Sequence, residues 1–115
     1  MTVRLKEIDN IILIRLEGEF TLEFIPNFID IINNLLNKKK EKILISLEKV
    51  TKIDSSGLGA IIATTSTLEQ NGASLKILHL SPQAKRVFDF NNIQDYIEVY
   101  SNSSLAITAF SKRSL

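Results

Sequence analysis

The chain has 115 residues, 14 basic and 13 acidic side chains for a net charge of +1, and no cysteine. This length supports one domain, able to bury roughly two thirds of its unfolded surface without a staple, and the missing thiols exclude disulfide frameworks, thiolate zinc sites and cysteine nucleophiles. The near-neutral balance lacks the basic face of a nucleic-acid binder, and no uncharged stretch reaches the ~20 residues of a membrane helix.

The first residues, Met1-Thr2-Val3-Arg4-Leu5-Lys6-Glu7, contain no apolar signal core. Neither export nor membrane insertion is expected, and the expected location is cytoplasmic. Val3 to Lys6 alternates apolar and polar residues, Asp9-Asn10 makes a two-residue turn, and Ile11 to Gly18 resumes as a β-rich run. This predicts an opening hairpin, with its charged first strand at a sheet edge and its apolar second strand further inside.

From Thr21 to about Leu36, the apolar residues Leu22, Phe24, Ile25, Phe28, Ile29, Ile31, Ile32, Leu35 and Leu36 recur with helical spacing. The pattern predicts a helix packing one broad face, with Thr21 as its cap and Pro26 in its first turn. Asn37 and the cluster Lys38, Lys39, Lys40 and Lys42 mark its end, the lysines complementing the negative helix terminus. Ile43 to Leu47 has almost no polar alternation, as expected of an interior strand covered by helices.

Residues 48–51 then lead to Asp54-Ser55-Ser56-Gly57-Leu58-Gly59 and a helix from about Ser56 to Gln70. Leu58, Ile61, Ile62, Thr65 and Leu68 form its expected buried stripe, opposite a smooth face of Ala60, Ala63, Thr64, Ser66 and Thr67, and Asn71-Gly72 stops it. Ser74 to Leu80 is the next strand, and Ser81-Pro82 opens a helix over about Gln83 to Phe90 anchored by Val87, Phe88 and Phe90. Tyr96 to Tyr100 reads as a last short strand. Ser103 or Ser104 caps a C-terminal helix through Leu105, Ile107, Ala109 and Phe110. The order predicts an α/β domain spanning 1–115, with a mixed sheet of about four to five strands and about four helices.

Asp54, Ser55 and Ser56 are all residues whose short side-chain oxygen can accept from the unpaired amides of a first helical turn. Spacing alone supports plain capping. It also makes Ser55 an expected exposed hydroxyl at the positive end of a helix, a suitable place for a phosphate. His79, the only histidine, stands at a strand end and raises a Ser-His-Asp reading, but no Gly-x-Ser-x-Gly elbow accompanies it. His79 is therefore read as a packed or surface residue. Gly57-Leu58-Gly59 lacks the third glycine of a dinucleotide loop, no Gly-Lys-Ser/Thr phosphate loop occurs, and no metal site is indicated.

The run from Lys49 to Gly59 resembles the signature of the bacterial anti-sigma-factor antagonists, small STAS domains whose pattern is an aliphatic residue, Asp-Ser-Ser-Gly, Leu, then Gly or Ala. Leu16-Glu17-Gly18-Glu19-Phe20 resembles the family's turn after the second strand, so the likeness extends over nearly the whole chain. It implies one curved sheet with helices packed mainly on one side. It also implies a non-enzymatic switch without a cofactor, phosphorylated at Ser55, whose partners are a serine-kinase anti-sigma factor and a metal-dependent serine phosphatase.

The expected partner-binding residues are Thr21, Asp54, Ser56, Gly57, Leu58, Gly59, Ala60, Ala63, Thr64 and Thr67, with Asp54 ordering the turn, Ser56 capping or hydrogen-bonding, and both glycines permitting close approach. Some relatives are reported to bind purine nucleotides. Here Thr21 and Ser46 stand where aspartates are usual, which argues against nucleotide binding and bears on kinase recognition through Thr21. The alternative from the same resemblance is a non-catalytic scaffold subunit of a lipid-transport or sensory complex.

Overall fold

The computed structural model describes residues 1–111. Five strands, β1 (Thr2–Ile8), β2 (Ile11–Phe20), β3 (Lys42–Ile53), β4 (Ser74–Leu80) and β5 (Val99–Tyr100), form one mixed sheet in the order β1-β2-β3-β4-β5. Only β1 runs antiparallel to its neighbour; the other pairings are parallel. The hairpin turn is Asp9-Asn10, both at positive φ (51° and 69°), which matches the twist of the flanking strands and which Asp and Asn tolerate better than most residues. The charged β1 lies at the edge, as expected.

Helices α1 (Ile25–Asn37), α2 (Ser55–Gln70) and α3 (Pro82–Phe90) contribute to one apolar core; α4 (Ser103–Ser111) contributes to another. In the main core, Ile14, Ile43, Ile45, Leu47 and Ile77 from the sheet meet Phe28, Ile61, Leu68 and Phe88 from the helices. In the smaller one, Ile11, Leu13, Leu44 and Leu78 meet Ala106 and Phe110. Because both sheet faces are covered, β2 and β3 read as continuous apolar runs rather than as alternation. Beneath the start of α1, the Phe20 ring meets Phe24 and Phe28 edge-on, with centroids 5.4 Å and 5.0 Å away.

Several local expectations are corrected. Thr21 precedes a single 3-10 turn, Leu22–Phe24, rather than the α-helix, and its side chain makes no capping bond. β3 runs six residues beyond Leu47, through Ile53. The last strand is confined to Val99–Tyr100, because a 3-10 turn at residues 93–95 draws the Tyr96 and Ile97 amides onto the Ile93 carbonyl. Phe90 is not an anchor: it is 87% exposed, whereas Phe88 is buried. The C-terminal helix is capped by neither serine; Asn102 Oδ1 accepts from Leu105 N at 3.2 Å. At the end of α1, Lys39 takes a left-handed conformation (φ 59°) and Lys40 pairs with Glu7 at 3.2 Å. This fits the reading of the lysines as a helix stop facing solvent.

Candidate functional site

β3 ends at Ile53 and α2 begins at Ser55, with Asp54 between them as the extended N-cap residue. One oxygen of its carboxylate, Oδ1, accepts from Gly57 N at 2.7 Å; the other, Oδ2, accepts from Leu22 N at 3.2 Å. A single side chain thus closes the first turn of α2 and fastens it to the segment leaving β2. Asp54 N donates to the Phe20 carbonyl at 3.4 Å. From α3, Gln83 Oε1 accepts from Ile53 N at 2.9 Å. The turn is held from three directions, and the expected ordering role of Asp54 has a specific geometry.

Gly57 is buried against β2. A Cβ there would lie 2.3 Å from the Phe20 carbonyl oxygen and 2.6 Å from its ring atom Cδ1, so the close approach requires glycine. Gly59 does not repeat this: it is exposed, and a Cβ would meet nothing within 4 Å. Two residues along a helix turn the side-chain direction by roughly 200°, which points position 59 away from β2.

Ser55 is the first residue of α2 and is exposed. Asp54 does the capping, which leaves the Ser55 hydroxyl outside that role; of the two roles expected of Ser56, capping or hydrogen-bonding, the first falls to Asp54. By position, the amides of Ser55 and Ser56 also lack partners within the helix. Thr21 lies one residue from the Leu22 amide held by Asp54, so the fold brings it to the edge of the same turn.

Burial divides the remaining expected contact residues. Gly59, Ala63 and Thr67 are exposed, Ser56 and Ala60 are half-buried, and Gly57, Leu58 and Thr64 are buried. Leu58 and Thr64 thus contribute to packing rather than to the outer face. Ile62, expected in the buried stripe, is 38% exposed. The stripe is rotated toward α1, with Thr64 joining Leu58, Ile61, Thr65 and Leu68.

Between α1 and α2 runs an apolar groove of about 280 Å³, with Ser56 in its lining and Ile25, Ile29, Ala60, Ala63 and Thr67 along its walls. Sequence periodicity does not reveal its α1 wall, because it assigns the apolar residues of that helix to one broad packed face. A weak signal was present: nine apolar positions over the roughly four turns from Leu22 to Leu36 slightly exceed the roughly six to eight that one buried stripe takes. Leu22 and Ile29 are indeed 65% and 45% exposed. Gln83 carried no comparable signal.

His79 lines a different cleft, with Arg15 and Ser46, whose lining includes neither Ser55 nor Asp54. The fold therefore does not assemble the Ser-His-Asp arrangement. Among the described residues, no group of three or more His, Asp or Glu side chains is placed to hold a metal ion, and no helix is long and apolar enough to cross a membrane.

The family model of the STAS domain matches residues 2–106. An anti-sigma-B factor antagonist of Staphylococcus aureus is 28% identical over 86 residues, covering 75% of this chain and 80% of that protein. Among solved structures, an anti-sigma factor antagonist from Mycobacterium paratuberculosis superposes with a TM-score of 0.83 at 19% identity, over 94% of this chain and 92% of that one. The Bacillus cell fate determinant SpoIIAA, in its phosphorylated form, superposes with a TM-score of 0.72 at 22% identity, over 95% and 99%. At these identities the two structures speak for the fold alone.

Proposed function

The chain belongs to the STAS domain family, and from that membership and the exposed Ser55 turn we propose that it is an anti-sigma-factor antagonist switched by phosphorylation of Ser55. Unphosphorylated, it binds a serine-kinase anti-sigma factor and so releases the sigma factor. The kinase transfers the γ-phosphoryl group of adenosine triphosphate to Ser55 Oγ, the hydroxyl proton leaves, and the complex ends. A metal-dependent serine phosphatase hydrolyses the ester and restores binding. The chain itself catalyses nothing in this cycle, and both partners place it in the cytoplasm.

The observation that carries this reading is the division of labour at the turn. Asp54 caps α2 and ties it to Leu22, while Ser55 stays exposed on a backbone that does not depend on its side chain. The staphylococcal relative, an anti-sigma-B factor antagonist, supports it. The contact face comprises Ser55, Ser56, Gly59, Ala60, Ala63 and Thr67, with Thr21 at its edge and the α1/α2 groove beside it.

Magnitudes favour a switch at the interface over one in the fold. A phosphoserine carries about −1.5 to −2 charges near neutral pH, and a helix N-terminus offsets added negative charge by about 0.3–1 kcal/mol. The domain therefore tolerates the group. A partner surface fitted to a neutral hydroxyl does not, because an unmatched charge beside Asp54 costs several kcal/mol; about 3 kcal/mol is already roughly a hundredfold in affinity.

The test is a pull-down from lysate of the source organism with wild type and Ser55→Asp in parallel, followed by incubation of the captured kinase and adenosine triphosphate with wild type and Ser55→Ala. Capture of a serine-kinase-like ATPase by wild type alone, and one added phosphoryl group absent from Ser55→Ala, is the expected result. Capture of the same transporter or sensory components by both proteins would replace the switch with the scaffold reading.

A further inference from the structure

A cleft of about 460 Å³ opens on the α4 side of the sheet, lined by Arg4, Arg15, Ser46, Leu78, His79 and Ile107 among others. Its floor follows from strand register. Arg4 stands directly opposite Arg15, Arg15 opposite Ser46, and Ser46 opposite Leu78, so these four side chains form one row across four strands. Leu13, two residues before Arg15, packs with Ala106 and Phe110 of α4, which fixes the row on the same face.

Two features of that row are unexplained by folding. Like charges directly opposed on paired strands are destabilising, yet two arginines occupy such a pair, and among the described residues neither forms an ion pair. Lys49, Glu17 and Glu48 also line the cleft, so its cations exceed its carboxylates by one, and among the described residues neither carboxylate pairs with either arginine. Secondly, His79 takes a left-handed conformation (φ 56°) where the β3–β4 pairing shifts register. Such irregularities re-aim a side chain, and here the histidine lines the cleft.

The row has a polar half and an apolar half. Two guanidiniums, each a planar fork of donors, match a group with two negative charges and several terminal oxygens. A carboxylate has oxygens for one fork; a phosphate monoester, at about −1.5 to −2 near neutral pH, has three strong acceptor oxygens and can engage both. Ser46, 7% exposed, places a hydroxyl beside Arg15. Leu78 and Ile107 continue the lining as an apolar wall.

We propose that this cleft binds a phosphate dianion between Arg4 and Arg15, carried by a small phosphate ester whose body lies on Leu78 and Ile107 or supplied as free phosphate. The site is separate from the Ser55 turn and does not depend on the antagonist reading.

The test titrates the full chain with glucose 6-phosphate, adenosine monophosphate and inorganic phosphate, following calorimetry and backbone amide shifts. Saturable binding with shifts centred on Arg15, Ser46, Leu78 and His79 is expected. Arg4→Gln and Arg15→Gln, both at exposed positions and checked for an unchanged thermal melt, should each weaken it by about tenfold or more, as loss of a charge-assisted pair does. Ser55→Ala should leave it unchanged. Tighter binding of either ester than of inorganic phosphate assigns the ester, and equal affinity assigns the free ion. No saturable binding of any probe, shifts centred on the Ser55 turn or on Lys38–Lys42, or unaltered affinity in both arginine variants would overturn the proposal.

Discussion

The carbonyl of Phe20 occupies the space in which a side chain on Gly57 would begin, 2.3 Å from the position of a Cβ. Phe20 is fully buried and its ring packs on Phe24 and Phe28, so neither backbone nor ring has room to withdraw. Gly57→Ala should destabilise the fold by about 1–3 kcal/mol, the usual cost of overpacking a filled core. Urea unfolding at neutral pH measures it; an unchanged midpoint would mean that β2 and α2 separate easily.

Gly59 sits two residues further along the same helix and predicts the opposite sign. With open space around it, Gly59→Ala should stabilise by about 0.5–1 kcal/mol, since alanine gives up less backbone freedom in a helix than glycine. The same urea titration, run on both variants, separates the two glycines by the direction of the midpoint shift.

Asp54 spends both oxygens on backbone amides 35 residues apart in sequence, Gly57 and Leu22. Asp54→Ala should cost about 1–2 kcal/mol, the scale for losing a helix cap. Asp54→Asn keeps one carbonyl oxygen and should cost less. Amide hydrogen exchange gives the residue-level check: Gly57 and Leu22 should both lose protection in the alanine variant, and only one of them in the asparagine variant.

The layout of this turn shows where the sequence was informative. Hydrophobic runs and turn residues located the strands and helices, because Asp9-Asn10, Asn71-Gly72 and Ser81-Pro82 have local conformational preferences that tertiary contacts did not override. The Asp-Ser-Ser-Gly motif pointed to the candidate site by resemblance. The bond from Asp54 to Leu22 and the one from Gln83 to Ile53 were not legible, since each joins segments about 30 residues apart through side chains with no distinctive pattern. The outer wall of the groove is illegible for a different reason. Ile25 and Ile29 are apolar, and periodicity cannot distinguish a residue buried in the core from one lining a surface groove.

Ser55→Asp should leave thermal stability nearly unchanged, within about 0.5 kcal/mol, as for exposed substitutions generally. At the first helical position, attraction to the helix terminus opposes repulsion from the adjacent Asp54 carboxylate. Ser55→Ala should be equally silent, because the cap belongs to Asp54. Thermal melts of the three proteins check this. A large loss in either variant would show that the hydroxyl supports the fold and would undercut a switch acting only at an interface.

The second face of the sheet carries a charge network with a defined pH dependence. Lys76, 6% exposed, pairs with Glu98 at 2.6 Å and lies 5.0 Å from the centroid of the Phe110 ring on α4, while the Tyr100 hydroxyl donates to the same carboxylate. The hydrogen bond from Lys76, then that from Tyr100, holds the Glu98 carboxyl below its ordinary 4.5. The bond to Glu98 pushes the Tyr100 phenol from 10.0 up to about 12. For Glu98, whose folded value is depressed, the stabilisation is present above about pH 4.5 and lost as pH falls through the folded value. For Tyr100, raised on folding, it is present below about pH 10 and lost as pH rises toward 12. Solvent screening limits the energies, since the Glu98 side chain is 60% exposed, and each contribution should stay within about 1 kcal/mol. Titration itself is the sharper readout. In a Tyr96→Phe background, tyrosinate absorbance reports Tyr100 alone, with an expected midpoint near 12, and adding Glu98→Gln should lower it toward 10. A midpoint that does not move would show that the carboxylate does not hold the phenol.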